Sequence, residues 1–123
     1  MITGVVNGYA EATIRLPLQA ADGQEREIQA VLDTGFNGTL TLPPALIASL
    51  RLPWRGRGLI TLANGTDDQC DIYAATIVWD GRRRSILVEA AETAPLRGMT
   101  PLHGYRLHIE VIDGGSVIIG ALQ

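Results

Sequence analysis

The chain has 123 residues, enough for one domain spanning 1–123 with a modest hydrophobic core. Hydrophobic residues make up 46% of it, which excludes an intrinsically disordered protein. The net charge of -3 gives no general attraction for nucleic acid, so we expect no such partner. Cys70 is the single cysteine, which excludes an intrachain disulfide and suits a reducing compartment. Neither a signal-peptide pattern nor an apolar spanning run occurs, so we expect a cytoplasmic protein without a membrane partner.

Short strands separated by Gly, Asn and Asp turns predict an all-β fold. In the first half, apolar and polar residues alternate over 12–18, and residues 28–32 form a second strand that leads to Asp33. Pro43-Pro44 predicts a short helix over 45–50, because proline is favoured in the first turn of a helix.

The second half continues the same pattern. Its predicted strands are 70–79, 85–88, 107–111 and 116–119. The first of these has apolar residues on both faces, which is typical of a central strand. Asp80-Gly81 predicts a two-residue hairpin turn. Thr100-Pro101 has the pattern of a helix N-cap followed by the first helical residue, and Gly104 would end that single turn.

The most informative segment runs from Val31 to Pro43, VLDTGFNGTLTLP. An apolar strand ends in Asp33, Thr34 and Gly35, and the chain then re-enters an alternating strand. A loop acid is normally surrounded by water, whereas this one follows directly from a core strand. The pattern therefore predicts a carboxylate held by a tight turn at the floor of a cleft.

This segment resembles the active-site loop of aspartic proteases, in particular the small retropepsin-like group. Two further segments fit at the expected places. Residues 59–66 resemble the hairpin flap, and residues 94–99 resemble the second apolar-apolar-Gly element. The resemblance spans roughly Ala12 to Ile119 and implies a retropepsin-like closed β-barrel with one or two short helices.

The resemblance implies peptide hydrolysis by a pair of carboxylates, with no metal and no cofactor. Two carboxylates about 3 Å apart cannot both ionise, so they share one proton and act as base and acid. The sequence has one Asp-Thr-Gly, so a working site requires a homodimer in which Asp33 of each chain meets at the two-fold axis. In the family, the residue at the position of Thr34 bonds to the partner's loop, and the glycine at that of Gly35 allows close backbone approach.

The same resemblance places six residues at a groove for a peptide or protein substrate. They are Phe36, Ala63, Asn64, Gly65, Leu96 and Gly98. Phe36 would surround the carboxylates with apolar atoms; alternatively it packs outward or into the dimer contact. Asn64-Gly65 predicts a two-residue hairpin turn that acts as a lid over substrate, with an ordinary surface hairpin as the alternative.

Arg97 departs from the family pattern, which has an aliphatic residue beneath the catalytic loop. A buried arginine needs a partner or a path to solvent, so we expect an ion pair with Glu92 or Asp33, or a side chain that reaches outward. An ion pair with Asp33 would hinder proton sharing. Arg97 therefore favours an alternative function, a catalytically inactive dimer that binds peptides or acts as a scaffold. In a third reading, a small β-barrel has no peptide groove and Asp33 caps a turn.

Three other features suggest weaker hypotheses. His103 and His108 lack a recognisable zinc spacing with Cys70, so we expect no metal site. Residues 82–84, three arginines, could contact phosphate or an acidic partner, but in an acidic chain a solvated hairpin is favoured. The terminal strands, 2–9 and 117–122, would expose sheet edges, so we expect them to join the dimer interface.

Overall fold

The computed structural model describes residues 1–61 and 64–123, and for residues 60 and 61 the backbone alone. Its described elements, in chain order, are β1 (Ile2–Val6), β2 (Ala12–Gln19), β3 (Glu25–Leu32), β4 (Leu40–Leu42), α1 (Pro44–Leu50), β5 (Trp54–Thr61), β6 (Asp67–Trp79), β7 (Arg82–Ala90), β8 (Leu96–Arg97), a 3-10 helix α2 (Thr100–Leu102), β9 (Tyr105–Ile109) and β10 (Ser116–Ala121).

The strands form one sheet that closes on itself. Its order is β5-β6-β7-β4-β8-β3-β2-β1-β10-β9, and β6 also pairs with β2 through Leu18–Ile77 and Gln19–Thr76. This additional pairing joins six strands into a ring, from which β5 projects on one side and β1, β10 and β9 on the other. The predicted all-β, closed architecture is confirmed.

The core fills this ring because alternate residues of its strands point inward. Leu16 and Leu18 on β2, Ala30 on β3, Ile77 on β6 and Val88 on β7 have almost no exposed surface. The apolar residues that alternate along β2 and β3 therefore face the same core. β3 ends in this core at Leu32, and the next residue, Asp33, begins the loop.

Both predicted helices form, and each begins one residue earlier than predicted. The first helix begins at Pro44, and Arg51 ends it in the left-handed conformation, with φ of 53°. In the second, Met99 occupies the N-cap position and Thr100 is the first helical residue, so the predicted cap was wrong by one position. The Thr100 hydroxyl instead donates to the carbonyl oxygen of Asn37, a tertiary contact that outweighs the local cap.

The predictions for the β6–β7 region hold. β6 lies between β5 and β7, as the apolar residues on both of its faces indicated. Asp80 and Gly81 have φ of 51° and 78°, the positive values that a type I′ hairpin turn requires. The arginines at 82–84 lie at the exposed start of β7, consistent with a solvated hairpin.

The expectation of open edges at the terminal strands was wrong. β1 pairs with both β2 and β10, and β10 pairs with both β1 and β9. The described edge strands are therefore β5 and β9. β1 also ends earlier than predicted, at Val6, because the Asn7 side chain accepts hydrogen bonds from the backbone N–H groups of Tyr9 and Glu11, both at 3.0 Å, and turns the chain.

Candidate active site

Asp33 begins a tight turn where β3 leaves the core. Its backbone N–H donates to the carbonyl oxygen of Arg97 on the parallel strand β8 (2.9 Å), and its own carbonyl accepts from Phe36 N (3.1 Å). Its side-chain Oδ1 accepts a hydrogen bond from Gly35 N at 3.0 Å. The carboxylate is half-buried and its orientation is fixed by its own loop, whereas Thr34 and Gly35 are exposed.

The loop from 33 to 39 is attached to the segment that follows β8. Met99 N donates to Phe36 O (2.8 Å), and Gly98 N donates to Thr39 O (3.2 Å). The Thr100 hydroxyl donates to the carbonyl oxygen of Asn37. Residues far away in sequence are thus hydrogen-bonded to the loop from 33 to 39 at both of its ends and in its middle.

Two glycines let these segments approach each other. A Cβ at Gly98 would overlap the carbonyl oxygen of Gly38 and would lie 2.8 Å from the Phe36 ring. A Cβ at Gly38 would also overlap that ring. The half-buried Phe36 ring therefore covers both glycines and packs on its own loop. Gly98 itself is buried beneath the loop, and Leu96 is half-buried. Contact of Phe36, Leu96 or Gly98 with a substrate stays a prediction.

The Thr34 side chain is available for an outside partner. It is exposed, and its hydroxyl makes no hydrogen bond to any residue in the described part of the chain. Met99, whose backbone N–H donates to Phe36 O of the same loop, is also exposed over 42% of its surface. An exposed hydroxyl and an exposed apolar side chain thus accompany the half-buried Asp33 at this turn.

Arg97 contacts neither of the predicted acids. Its side chain is 1% exposed, and its guanidinium lies over the ring of Trp79, 4.3 Å from the ring centroid. Nη1 donates to Thr39 O at 3.3 Å, while the buried Nε has no hydrogen-bond partner in the described residues. Burial lowers the pKa of Arg97 to about 10. The predictions of an ion pair or an outward path were wrong, because the aromatic face stabilises the cation inside the core.

The predicted flap corresponds to the hairpin of β5 and β6. Its last described pair is Thr61–Asp67, and Ala63 lies outside the described residues. Gly65 has φ of +85°, and Asn64 Oδ1 accepts a hydrogen bond from Thr66 N at 3.0 Å. The hairpin is confirmed; its two-residue turn and its closure over a substrate stay predictions.

Glu89 is a residue that the sequence reasoning missed. A Cβ at Gly38 would lie 3.3 Å from Glu89 Oε1, so this carboxylate lies against the loop that carries Asp33. Burial raises its pKa. The available signal was its position as the single charged residue in the apolar run of β7, SILVEA.

Within the described ranges, no group of three or more His, Cys, Asp or Glu side chains could hold a metal ion. In the same residues, no helix is long and apolar enough to cross a membrane. Burial, and then the nearby carboxylates of Glu89 and Asp71, raise the pKa of the Cys70 thiol and outweigh the opposite effect of Arg57, so this buried cysteine is not activated as a nucleophile.

Comparisons of the sequence find no matching family model and no match among curated proteins. Comparison of the structure finds a retropepsin-like aspartic protease from Rickettsia conorii, with a TM-score of 0.57 and 16% identity over 99% of this chain and 91% of that one. The protease of simian foamy virus (mac) also matches, with a TM-score of 0.48 and 21% identity over 72% of this chain and 91% of that one. The likeness to the Rickettsia conorii protease shows that the chain has the retropepsin-like fold.

Proposed function

We propose that this chain is an aspartic endopeptidase that works as a homodimer, with Asp33 of each protomer forming the catalytic pair. The observation that carries the proposal is the half-buried Asp33 carboxylate, held by Gly35 N at 3.0 Å on a turn that leads out of the core of a retropepsin-like fold. A turn that merely capped itself would not need three further hydrogen bonds from the 98–100 segment.

The dimer follows from the chemistry of the site. One Asp-Thr-Gly supplies one carboxylate, and the shared-proton mechanism needs two. The exposed Thr34 hydroxyl, which has no partner among the described residues of its own protomer, supports a contact across the two-fold axis. A second copy of the loop would supply that partner and bring the two Asp33 carboxylates together.

In this mechanism, the ionised Asp33 takes a proton from a water molecule as the water oxygen attacks the peptide carbonyl carbon. The protonated Asp33 of the other protomer donates its proton to the carbonyl oxygen. The tetrahedral intermediate then collapses: one of its hydroxyl groups returns a proton to the carboxylate of the other protomer, the C–N bond breaks, and the leaving nitrogen receives a proton from the first carboxyl group. Gly35 N, bonded to Oδ1, keeps the carboxylate oriented throughout.

The alternative, a dimer that binds peptides without cleaving them, was favoured by an arginine beside the catalytic carboxylate. Arg97 offers no such support, because its guanidinium lies against Trp79 and bonds to Thr39 O. Both proposed functions use the same peptide groove, and one experiment distinguishes them.

That experiment is digestion of a mixed peptide pool from acidic to neutral pH, analysed by mass spectrometry, with wild type and Asp33→Asn side by side. We expect wild type to cleave and the asparagine variant to lose activity by at least about 100-fold, since it keeps shape but cannot act as the base. The exposed acid Glu92 provides a matched control, and Glu92→Gln should cleave as wild type does. Absence of cleavage by wild type at every pH would select the peptide-binding module.

A further inference from the structure

Glu89 lies between the loop that carries Asp33 and the hairpin of β5 and β6. It pairs in register with Thr41 on β4 and with Ile72 on β6, and residues directly opposite in a sheet share a face. β4 is the continuation of the Asp33 loop, and β6 is one arm of the hairpin. Glu89 thus lies between the strand that continues the Asp33 loop and the strand that forms one arm of the hairpin.

The Glu89 carboxylate lies against the loop that carries Asp33. Glu89 Oε1 lies against Gly38, which is three residues after Gly35 and therefore at most about 11 Å from it along the chain. The Phe36 ring occupies the space that a side chain at Gly38 would fill, so this ring and the Glu89 carboxylate both lie next to the same glycine.

The surroundings of Glu89 offer it no positive charge. From the loop it faces Gly38, from β4 the neutral Thr41, and from β6 Ile72 and the thiol of Cys70. Within the described residues it forms no ion pair and no hydrogen bond. Burial is the cause of its raised pKa, and no neighbouring cation opposes that effect. A half-buried carboxylate without a partner is costly to maintain, and a cationic ligand would offset that cost.

We propose that Glu89 is a specificity-determining residue, which binds an arginine or lysine side chain of the substrate close to the scissile bond. This inference rests on the proposed function for its location, because the peptide must lie in the cleft beside Asp33. A guanidinium would form a charge-assisted hydrogen bond with the carboxylate, stronger than a bond between neutral groups. Each protomer of the dimer would contribute one such subsite.

The test uses two matched peptide libraries that are identical except that every arginine in one is citrulline in the other, which keeps the shape and removes the charge. Binding to the immobilised full chain carrying Asp33→Asn is measured first, and cleavage by the Asp33 enzyme second. We expect the arginine library to be preferred by about 10–100-fold in both. Adding Glu89→Gln should abolish the preference, Glu92→Gln should leave it unchanged, and Glu89→Lys should shift it to peptides with Glu or Asp.

The two proposals fail in different ways. Selective binding of arginine peptides by the Asp33→Asn chain, without any cleavage by wild type, would overturn the endopeptidase and keep the Glu89 subsite. Cleavage with equal preference for both libraries, or a preference that survives Glu89→Gln, would overturn the subsite and keep the endopeptidase. A chain that neither binds nor cleaves peptides of either library would overturn both.

Discussion

Arg97 shows how a single charged residue can occupy the core without an acid beside it. The guanidinium stacks on Trp79, and Trp79 in turn packs edge-on to Tyr105, with ring centroids 6.0 Å apart. Arg97 Nη1 donates a hydrogen bond to Thr39 O, which also accepts one from Gly98 N. Thr39 O would therefore stay satisfied if the arginine were removed, so the main loss would be the volume and the cation–π contact.

We therefore expect Arg97→Met and Arg97→Ala to differ sharply. Methionine fills much of the same space and removes a buried charge, so the free energy of unfolding should stay within about 1 kcal/mol of wild type or rise. Alanine leaves a cavity beside Trp79 and should cost about 2–5 kcal/mol. Urea unfolding of both variants measures the difference. Equal losses in the two would mean that the charge itself stabilises the core.

Glu89 makes stability depend on pH in a predictable direction. Its pKa is raised in the folded state by burial, above its ordinary value of 4.5. Below pH 4.5 the carboxyl is protonated in both states and has no effect; as pH rises through the folded-state pKa, the folded state must hold a disfavoured charge and loses stability. Glu89→Gln should thus raise the melting temperature at neutral pH, with the gain disappearing below pH 4.5.

The matched control for this experiment is Glu92→Gln, which makes the same chemical change at an exposed position three residues later. Its melting temperature should follow wild type across the whole range. If Glu89→Gln lowered the melting temperature at pH 7, the Glu89 carboxylate would have a stabilising partner and the account of its surroundings would be wrong.

At the scale of elements, the short strand β8 organises the site. It lies between β3 and β4, pairs with both, and is followed directly by Gly98, Met99 and Thr100, each of which bonds to the Asp33 loop. Its two residues face opposite sides, so Arg97 enters the core while Leu96 remains half-buried. The geometry of the Asp33 loop therefore depends more on these bonds from the residues after β8 than on the loop's own sequence.

Gly98→Ala tests that dependence. The added methyl group would overlap the Gly38 carbonyl oxygen and press on the Phe36 ring, neither of which can move without disturbing the loop. We expect a loss of about 1–3 kcal/mol in unfolding free energy and a loss of peptide cleavage. Gly8→Ala is the control, because a Cβ there meets no atom within 4 Å, and it should stay within about 0.5 kcal/mol. A Gly98→Ala variant with normal stability and activity would refute the close contact.

At the scale of the whole molecule, the proposed mechanism requires a dimer. The terminal strands β1 and β10 are paired on both sides within one chain, so they do not offer open edges to a partner. The contact at the Asp33 turn, with Thr34 and Met99 exposed beside it, carries the proposed interface instead. The strength of the dimer should therefore respond to substitutions in the turn.

Thr34→Val is the sharpest of these substitutions. It removes a hydroxyl that bonds to nothing in the described part of its own protomer, so the stability of the monomer should not change. Because the interface is symmetric, two such bonds are lost at about 1–3 kcal/mol each, which raises the dimer dissociation constant by at least roughly 30-fold. Sedimentation measures that constant, and Thr34→Ser, which keeps the hydroxyl, should restore it. An unchanged constant in the valine variant would contradict the contact.

The sequence by itself determined the all-β fold, both helices, the Asp80-Gly81 turn and the position of Asp33 at the end of a core strand, whereas closure of the sheet was implied by the family resemblance. These features follow from local periodicity and from the conformations that Gly, Pro and Asn allow, so neighbouring residues suffice to predict them. Only the tertiary structure decided the partner of Arg97, the pairing of the terminal strands and the approach of Glu89 to Gly38. Each of those depends on which distant segments pack together, because the spacing of residues along one strand does not specify what lies across the core.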